Sequence, residues 1–226
     1  MLDALKQEVC AQNHELPRAG LVVGSGGNVS GRCPDTGLVV IKPSGVRFAQ
    51  LVPDSMVVVD LDGRVIDGAM KPSVDTGIHL YLYRHRPDIG GVCHTHSPYA
   101  TSFAARGERI PAVLTPITHM LGRDIPCSRY ATPGEVDTGA AILEAAEGGK
   151  AALVQAHGVF TMGQSATEAT SIALYLEEAA KTTHLAMLRG PVEELPPEEI
   201  DRCYNWYRRN YGQNAVGMAA FKRLDT

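Results

Sequence analysis

A chain of 226 residues, 44% hydrophobic and 20% charged, is long enough to bury the core of one large domain. With 21 basic and 25 acidic residues the net charge is −4, which gives no electrostatic case for nucleic acid or an anionic membrane as partner. Five cysteines, an odd number without a CxxC pair, point to reduced thiols and a cytoplasmic setting rather than a disulfide framework.

The N-terminal stretch "MLDALKQEVCAQNHELPRAG" is amphipathic and charged, without the apolar core of a signal peptide. It reads as a helix over 2–18, with Leu2, Leu5, Val9 and Leu16 on one face. Strand-like runs broken by glycine follow: "LVVGSGGNVSG", "GLVVIKPSG" and "MVVVDLDGRVIDG", the last with a hairpin turn at Asp62-Gly63. Ser73 is the expected N-cap of a helix running to about Arg86, ahead of Pro87. "DIGGVCHTH" reads as a strand, and "SPYATSFAARG" as a helix with Ser97 at N-cap and Pro98 at N1. A helix over 132–149 and one or two strands over 150–163 come next. The clearest helix starts at Ser165, with Glu168 completing a capping box, and stops at Gly190-Pro191. A last helix spans 196–212. No apolar run approaches the ~18 residues of a membrane span. The interleaving without βαβ regularity predicts an α/β or α+β chain, one sheet covered by helices, in a single domain over 1–226.

"GGVCHTHSPYA" holds the chemistry. Residues two apart on a strand share a face, so His94 and His96 project together and suit one metal ion. The competing reading is a pair of surface histidines. His157, in "AALVQAHGVF", follows an apolar run and precedes Gly158, which lets backbone approach closely. A bulky polar ring there needs a partner. Three histidines with open positions suit a catalytic divalent ion, most often zinc; the alternative for His157 is a hydrogen bond inside the core. His14, His85 and His184 read as solvated helix residues, and His79 as a residue that pairs with Asp75 or packs beneath the site. Asp75, expected in the first helical turn, is either an ordinary N-terminal acid or a proton-transfer carboxylate near the metal.

"GSGGNVSG" and "KPSG" are small-residue loops at strand ends. Neither is a P-loop or a G-x-G-x-x-G fingerprint. Each can be plain turn chemistry, or a set of N–H donors for an anion. Side chains of Asn28, Ser30, Lys42, Ser44 and Ser73 add donors, which together favour a phosphorylated substrate.

"GGNVS", "IKPSGV", "KPSVDTGIH", "GVCHTHSPYA", "ALVQAHGVF" and the late "NYGQ" resemble, in order and spacing, the class II aldolase/adducin family. The resemblance covers nearly the whole chain. It implies a three-layer α/β/α fold around a mostly antiparallel sheet and a homotetramer with sites between subunits. It implies Zn2+, or another divalent ion such as Mn2+ or Co2+, on His94, His96 and His157. Gly27, Asn28, Ser44, Gly45 and Ser73 would hold a sugar phosphate. Asp75 would transfer protons, as would Tyr211 in a neighbouring subunit's site. Asp75, Lys42 and "YGQ" resemble the family's epimerases; "IPCSRYATPGE" resembles its aldolases. His119 stands where the epimerases carry an acid/base aspartate, Thr115 where the aldolases carry a tyrosine, and Val74 where both usually offer a serine. The shared chemistry is retro-aldol cleavage through an enediolate. The missing aspartate favours an aldolase of the L-fuculose-1-phosphate kind; with His119 as the second acid/base the alternative is a 4-epimerase of the L-ribulose-5-phosphate kind. A sugar-acid phosphate decarboxylase, or a non-catalytic adducin-like module, stands further back.

Overall fold

The structure, a computed structural model, describes residues 2–132 and 136–211. Eight strands form one sheet: β1 (Asn28–Arg32), β2 (Val39–Ile41), β3 (Val57–Val59), β4 (Val65–Asp67), β5 (Gly91–Thr95), β6 (Cys127–Ser128), β7 (Ala151–Val154) and β8 (Gly158–Gly163). Their order is β4-β3-β2-β1-β5-β8-β7-β6. Every pairing is antiparallel except β6 with β7. The helices are α1 (Leu2–Arg18), α2 (Thr76–His85), α3 (Pro98–Arg106), α4 (Thr115–Leu121), α5 (Val136–Ala146), α6 (Ala166–Met187) and α7 (Pro197–Asn210).

The period-2 alternation of the strands divides the core into two layers. Val39, Ile41, Val57, Val59, Val154 and Phe160 point to one face, where α2 and α5 cover them with Ile78, Leu82, Tyr83 and Ile142. Val40, Val58 and Cys93 point to the other face, under α1 and α6; Leu153 and Val159 meet α3 and α6 there. This is the expected three-layer arrangement. Asn13 clamps α1 onto β1: its amide donates to the Val9 and Val29 carbonyls, and its oxygen accepts the Val29 N–H at 3.0 Å. The five cysteines, all among the described residues, form no disulfide. No helix among the described residues is long and apolar enough to cross a membrane.

Several local expectations need correction. The 21–31 run yields a strand only from Asn28; Val23 is exposed. Ser73 does not cap α2. The helix starts at Thr76 with Asp75 in the cap position, while Ser73 Oγ accepts the Asp75 N–H at 3.3 Å. Ser97 holds the cap position of α3, but its side chain caps nothing. The Glu177 carboxylate on α6 instead accepts the Tyr99 and Ala100 N–H groups, both at 2.9 Å. Half of the α6 capping box forms: Ser165 Oγ accepts the Glu168 N–H, but Glu168 turns to the Gln164 N–H and to Lys150. Residues 150–163 form two strands, and α4 is a helix that the apolar 111–121 pattern does not announce. Gly212 and Gln213 of "NYGQ" lie outside the described residues.

Candidate active site

His94 sits in β5, paired across β1 with Asn28 and across β8 with Phe160. Its ring is buried and stacks on Phe160 at 4.2 Å and 13°. Its Nδ1 lies 2.9 Å from the Val159 carbonyl. A carbonyl only accepts, so Nδ1 carries the proton and Nε2 is left as a ligand atom. His96 lies one residue past the strand and opens to solvent, while His157 ends the three-residue turn between β7 and β8. The three rings meet, with centroids 4.7 to 5.2 Å apart. One nitrogen from each lies within 4.8 Å of the others. Burial pushes His94 down to about 3, and lowers His96 and His157 too, against the pull of Asp75. The rings are therefore held neutral, the form a metal requires. Among the described residues His157 Nδ1 is buried without a hydrogen-bond partner, a costly state for an imidazole that binds nothing. Three neutral imidazoles fit the donor set of a catalytic divalent site.

Gly158 makes this meeting possible. A Cβ there would lie 2.5 Å from the Thr95 carbonyl and 2.9 Å from the His96 ring. Gly27 (φ +79°) is constrained likewise, since a Cβ would meet Val22 at 2.5 Å and the His94 carbonyl at 2.8 Å.

Asp75 is buried beside the cluster and accepts a 2.7 Å hydrogen bond from Asn28 Nδ2, which also donates to Ser73 Oγ at 3.1 Å. Burial alone would raise its carboxyl; His94, His79, the Asn28 amide and His157 outweigh that and hold it below the ordinary range. Asn28 was expected to donate to phosphate, yet its donors are engaged here, and Oδ1 is the atom left without a partner. His79 packs fully buried under the site, as one of its two readings held. Its Nδ1 lies 2.7 Å from Ser30 Oγ, and its ring meets Phe160 edge-on. Burial pushes it down to about 4. Ser30, read as an anion donor, instead bridges His79 and Tyr83 in the interior. Lys42 is buried over the Phe48 ring, and its Nζ donates to the Ser25 and Pro43 carbonyls. Burial lowers its pKa and Asp75 opposes the shift.

One cavity of about 360 Å3 is lined by Gly27, Asn28, Lys42, Ser44, Gly45, Ser73, Asp75, His94, His96 and His157. The metal residues, the expected phosphate residues other than Ser30, and one proton-transfer candidate therefore share it. His119 and Tyr211 do not. They line a separate cavity of about 240 Å3 with Lys150, Glu168, Tyr204 and Tyr207, and the two cavities have no lining residue in common. Of the histidines read as surface, His85 is exposed, but His14 contacts the Leu51 carbonyl and His184 packs against Tyr99 and Phe103.

The Val159 carbonyl and the Phe160 ring went unread in the sequence. Both act on His94 through the β5–β8 register, which no local pattern carries.

A family profile described as the class II aldolase and adducin N-terminal domain matches residues 7–184. The chain is 40% identical over 225 residues to L-ribulose-5-phosphate 4-epimerase UlaF of Salmonella paratyphi C (strain RKS4594), covering 95% of this chain and 98% of that one. The UlaF protein of Salmonella typhi matches at the same identity and coverage. Among solved structures, an L-fuculose 1-phosphate aldolase superposes with a TM-score of 0.87 at 32% identity, covering 91% of this chain and 96% of that one. YgbL from Klebsiella pneumoniae superposes at 0.80 with 27% identity, covering 90% and 99%. The sheet, the three-histidine cluster and these likenesses agree: the chain belongs to the class II aldolase/adducin family.

Proposed function

We propose that the protein is a metal-dependent 4-epimerase of L-ribulose 5-phosphate or a closely similar pentulose phosphate. The observation that carries this reading is the 40% identity to the UlaF epimerases over nearly the full length of both chains. It reverses the preference for an aldolase drawn from the missing aspartate; on this reading His119 takes the part of the second acid/base.

His94, His96 and His157 would hold a divalent ion of the zinc type, which supplies a Lewis acid beside the substrate carbonyl. The N–H groups and hydroxyls of Gly27, Ser44, Gly45 and Ser73, with the Lys42 ammonium, form the cradle for the phosphate. Epimerisation at C4 requires the C4 hydroxyl to lose a proton as the C3–C4 bond breaks. The bond's electron pair passes to the C2 carbonyl, leaving an enediolate and glycolaldehyde phosphate. The aldehyde turns, and the bond re-forms on its other face as the new alkoxide is protonated. Two proton-transfer positions are needed, one for each face. Asp75 lies in the metal cavity. His119 and Tyr211 lie together on another surface of the same chain, which supports their serving a neighbouring copy's cavity in a homotetramer.

An aldolase acting on a ketose 1-phosphate is the second reading, favoured by the 0.87 TM-score to an L-fuculose 1-phosphate aldolase. The metal-loaded protein should be given L-ribulose 5-phosphate and L-fuculose 1-phosphate separately. Formation of the C4 epimer without free aldehyde supports the proposal. Aldehyde release from the 1-phosphate, with no epimer from the 5-phosphate, makes the enzyme an aldolase.

A further inference from the structure

We propose that Tyr207 is a positioning residue for this reaction, one that locks the His119 imidazole and the Tyr211 phenol into a single stack. The inference rests on the reading that His119 and Tyr211 transfer protons.

Three rings lie nearly parallel in a column. Tyr207 stacks on His119 at 4.9 Å and 9°, and on Tyr211 at 4.3 Å and 16°. The helix that carries Tyr207 is itself fixed against α4. Gly122 ends α4 in the left-handed conformation, and a Cβ there would lie 3.0 Å from the Tyr204 ring. So α7 rests on α4 at two points one turn apart, Tyr204 on Gly122 and Tyr207 on His119. A half-buried histidine on a short helix otherwise has several rotamers open to it. A flat ring held against one face removes those that swing away. Tyr207 also lies beside the Tyr211 and Tyr175 phenols. Burial first, then its two tyrosine neighbours, push it up to about 12. It therefore keeps its proton near neutrality. That suits it to serve as a fixed surface for its neighbours and not to exchange a proton with substrate.

Tyr207→Leu and Tyr207→Phe should be compared with His119→Ala and Tyr211→Phe, each metal-loaded and assayed for C4 epimer formation. Tyr207→Leu is expected to lower kcat by roughly 10–100-fold, with KM, metal content and assembly unchanged, because the proton-transfer group is misplaced rather than removed. Tyr207→Phe keeps the stack and should lose only roughly 2–10-fold. In proton NMR the His119 ring signals, shielded by the stacked ring, should move downfield in Tyr207→Leu and stay put in Tyr207→Phe. If Tyr207→Leu lowers the melting temperature, Tyr207→Met takes its place. A wild-type kcat in the ringless variant while His119→Ala is slow overturns the proposal. So does a raised KM at unchanged kcat, or a Tyr207→Phe rate as low as that of the ringless variant. Wild-type rates in His119→Ala and Tyr211→Phe would instead remove the proton-transfer reading, and this proposal with it.

Discussion

The metal cavity and the α4–α7 face are built by different means. In the cavity, strand register sets the chemistry. His94 stands between Asn28 and Phe160 because β1, β5 and β8 pair as they do, and its second nitrogen is tied to the neighbouring strand's backbone. On the α4–α7 face no ladder operates. His119 and Tyr211 are 92 positions apart by their numbers and meet only because two helices pack with stacked rings between them. The first region is closed around its own side chains. The second presents its groups outward, with Tyr211 61% exposed, and has no metal candidate of its own among the described residues. On the proposed reading, a site divided in this way would keep the substrate-holding groups and Asp75 in one region and His119 and Tyr211 in the other.

Substitutions should therefore fall into two classes. The largest effect is expected for His94→Ala/His157→Ala, which should leave no stoichiometric metal and no turnover, with the fold retained; elemental analysis of purified protein checks it. Full metal occupancy in that variant would break the assignment. His119→Ala should do the opposite: metal content unchanged, kcat lower by roughly 10²–10⁴-fold, the range for a positioned acid/base. A loss of metal there would erase the distinction between the two regions. Gly158→Ala tests the cavity from beneath. Its Cβ would crowd Thr95 and His96, and metal affinity should fall by roughly 10–100-fold, as for groups that orient ligands. Competition against a chelator of known affinity measures it.

The smallest effect concerns stability. His79 and His94 are fully buried, with pKa values pushed down to about 4 and about 3. In the unfolded chain an imidazole takes up its proton near pH 6.5, but in the folded chain it does not until much lower pH. The unfolded state thus binds more protons between these values, and stability falls as pH falls through that window. Each ring should cost the metal-free protein about 2 kcal/mol between pH 7 and pH 5. Urea unfolding at the two values reads the loss, and His79→Phe should remove its share. Equal stability at both would mean that these rings are more open to water than their packing indicates.

Much of the cavity was legible because its residues announce themselves locally. Two histidines two apart on an apolar strand, a third before a glycine, and two small-residue loops are signals within a few positions of each other. The strand periods were legible for the same reason, whereas helix layers on both faces of the sheet followed only from the resemblance to the family. Caps were less so. Ser73 lies two residues before the true cap position, which Asp75 holds, and Ser97 holds its position while a carboxylate from α6 accepts the amides, a competing partner from elsewhere in the chain that leaves no mark beside the helix start. α4 escaped notice because seven residues with a proline near the start carry too little periodicity to separate from an extended apolar run. The Asn28 amide shows a further limit: composition names a donor, but only its neighbours decide where the donor points.

The Glu177 clasp on α3 ties distant positions to a common fate. His96 is the one metal candidate that no strand pair or hairpin turn holds. It lies in the short link from Thr95 to Pro98, and just past that link Glu177 accepts two amide hydrogen bonds across separations of 78 and 77 positions. Changes at 177 and along 96–100 should consequently be inherited together among related chains. A chain that drifts to a neutral residue at 177 would need a new cap for α3 before His96 could return to its place. Metal loading in this protein is thus open to selection acting on a helix that lines no part of the cavity.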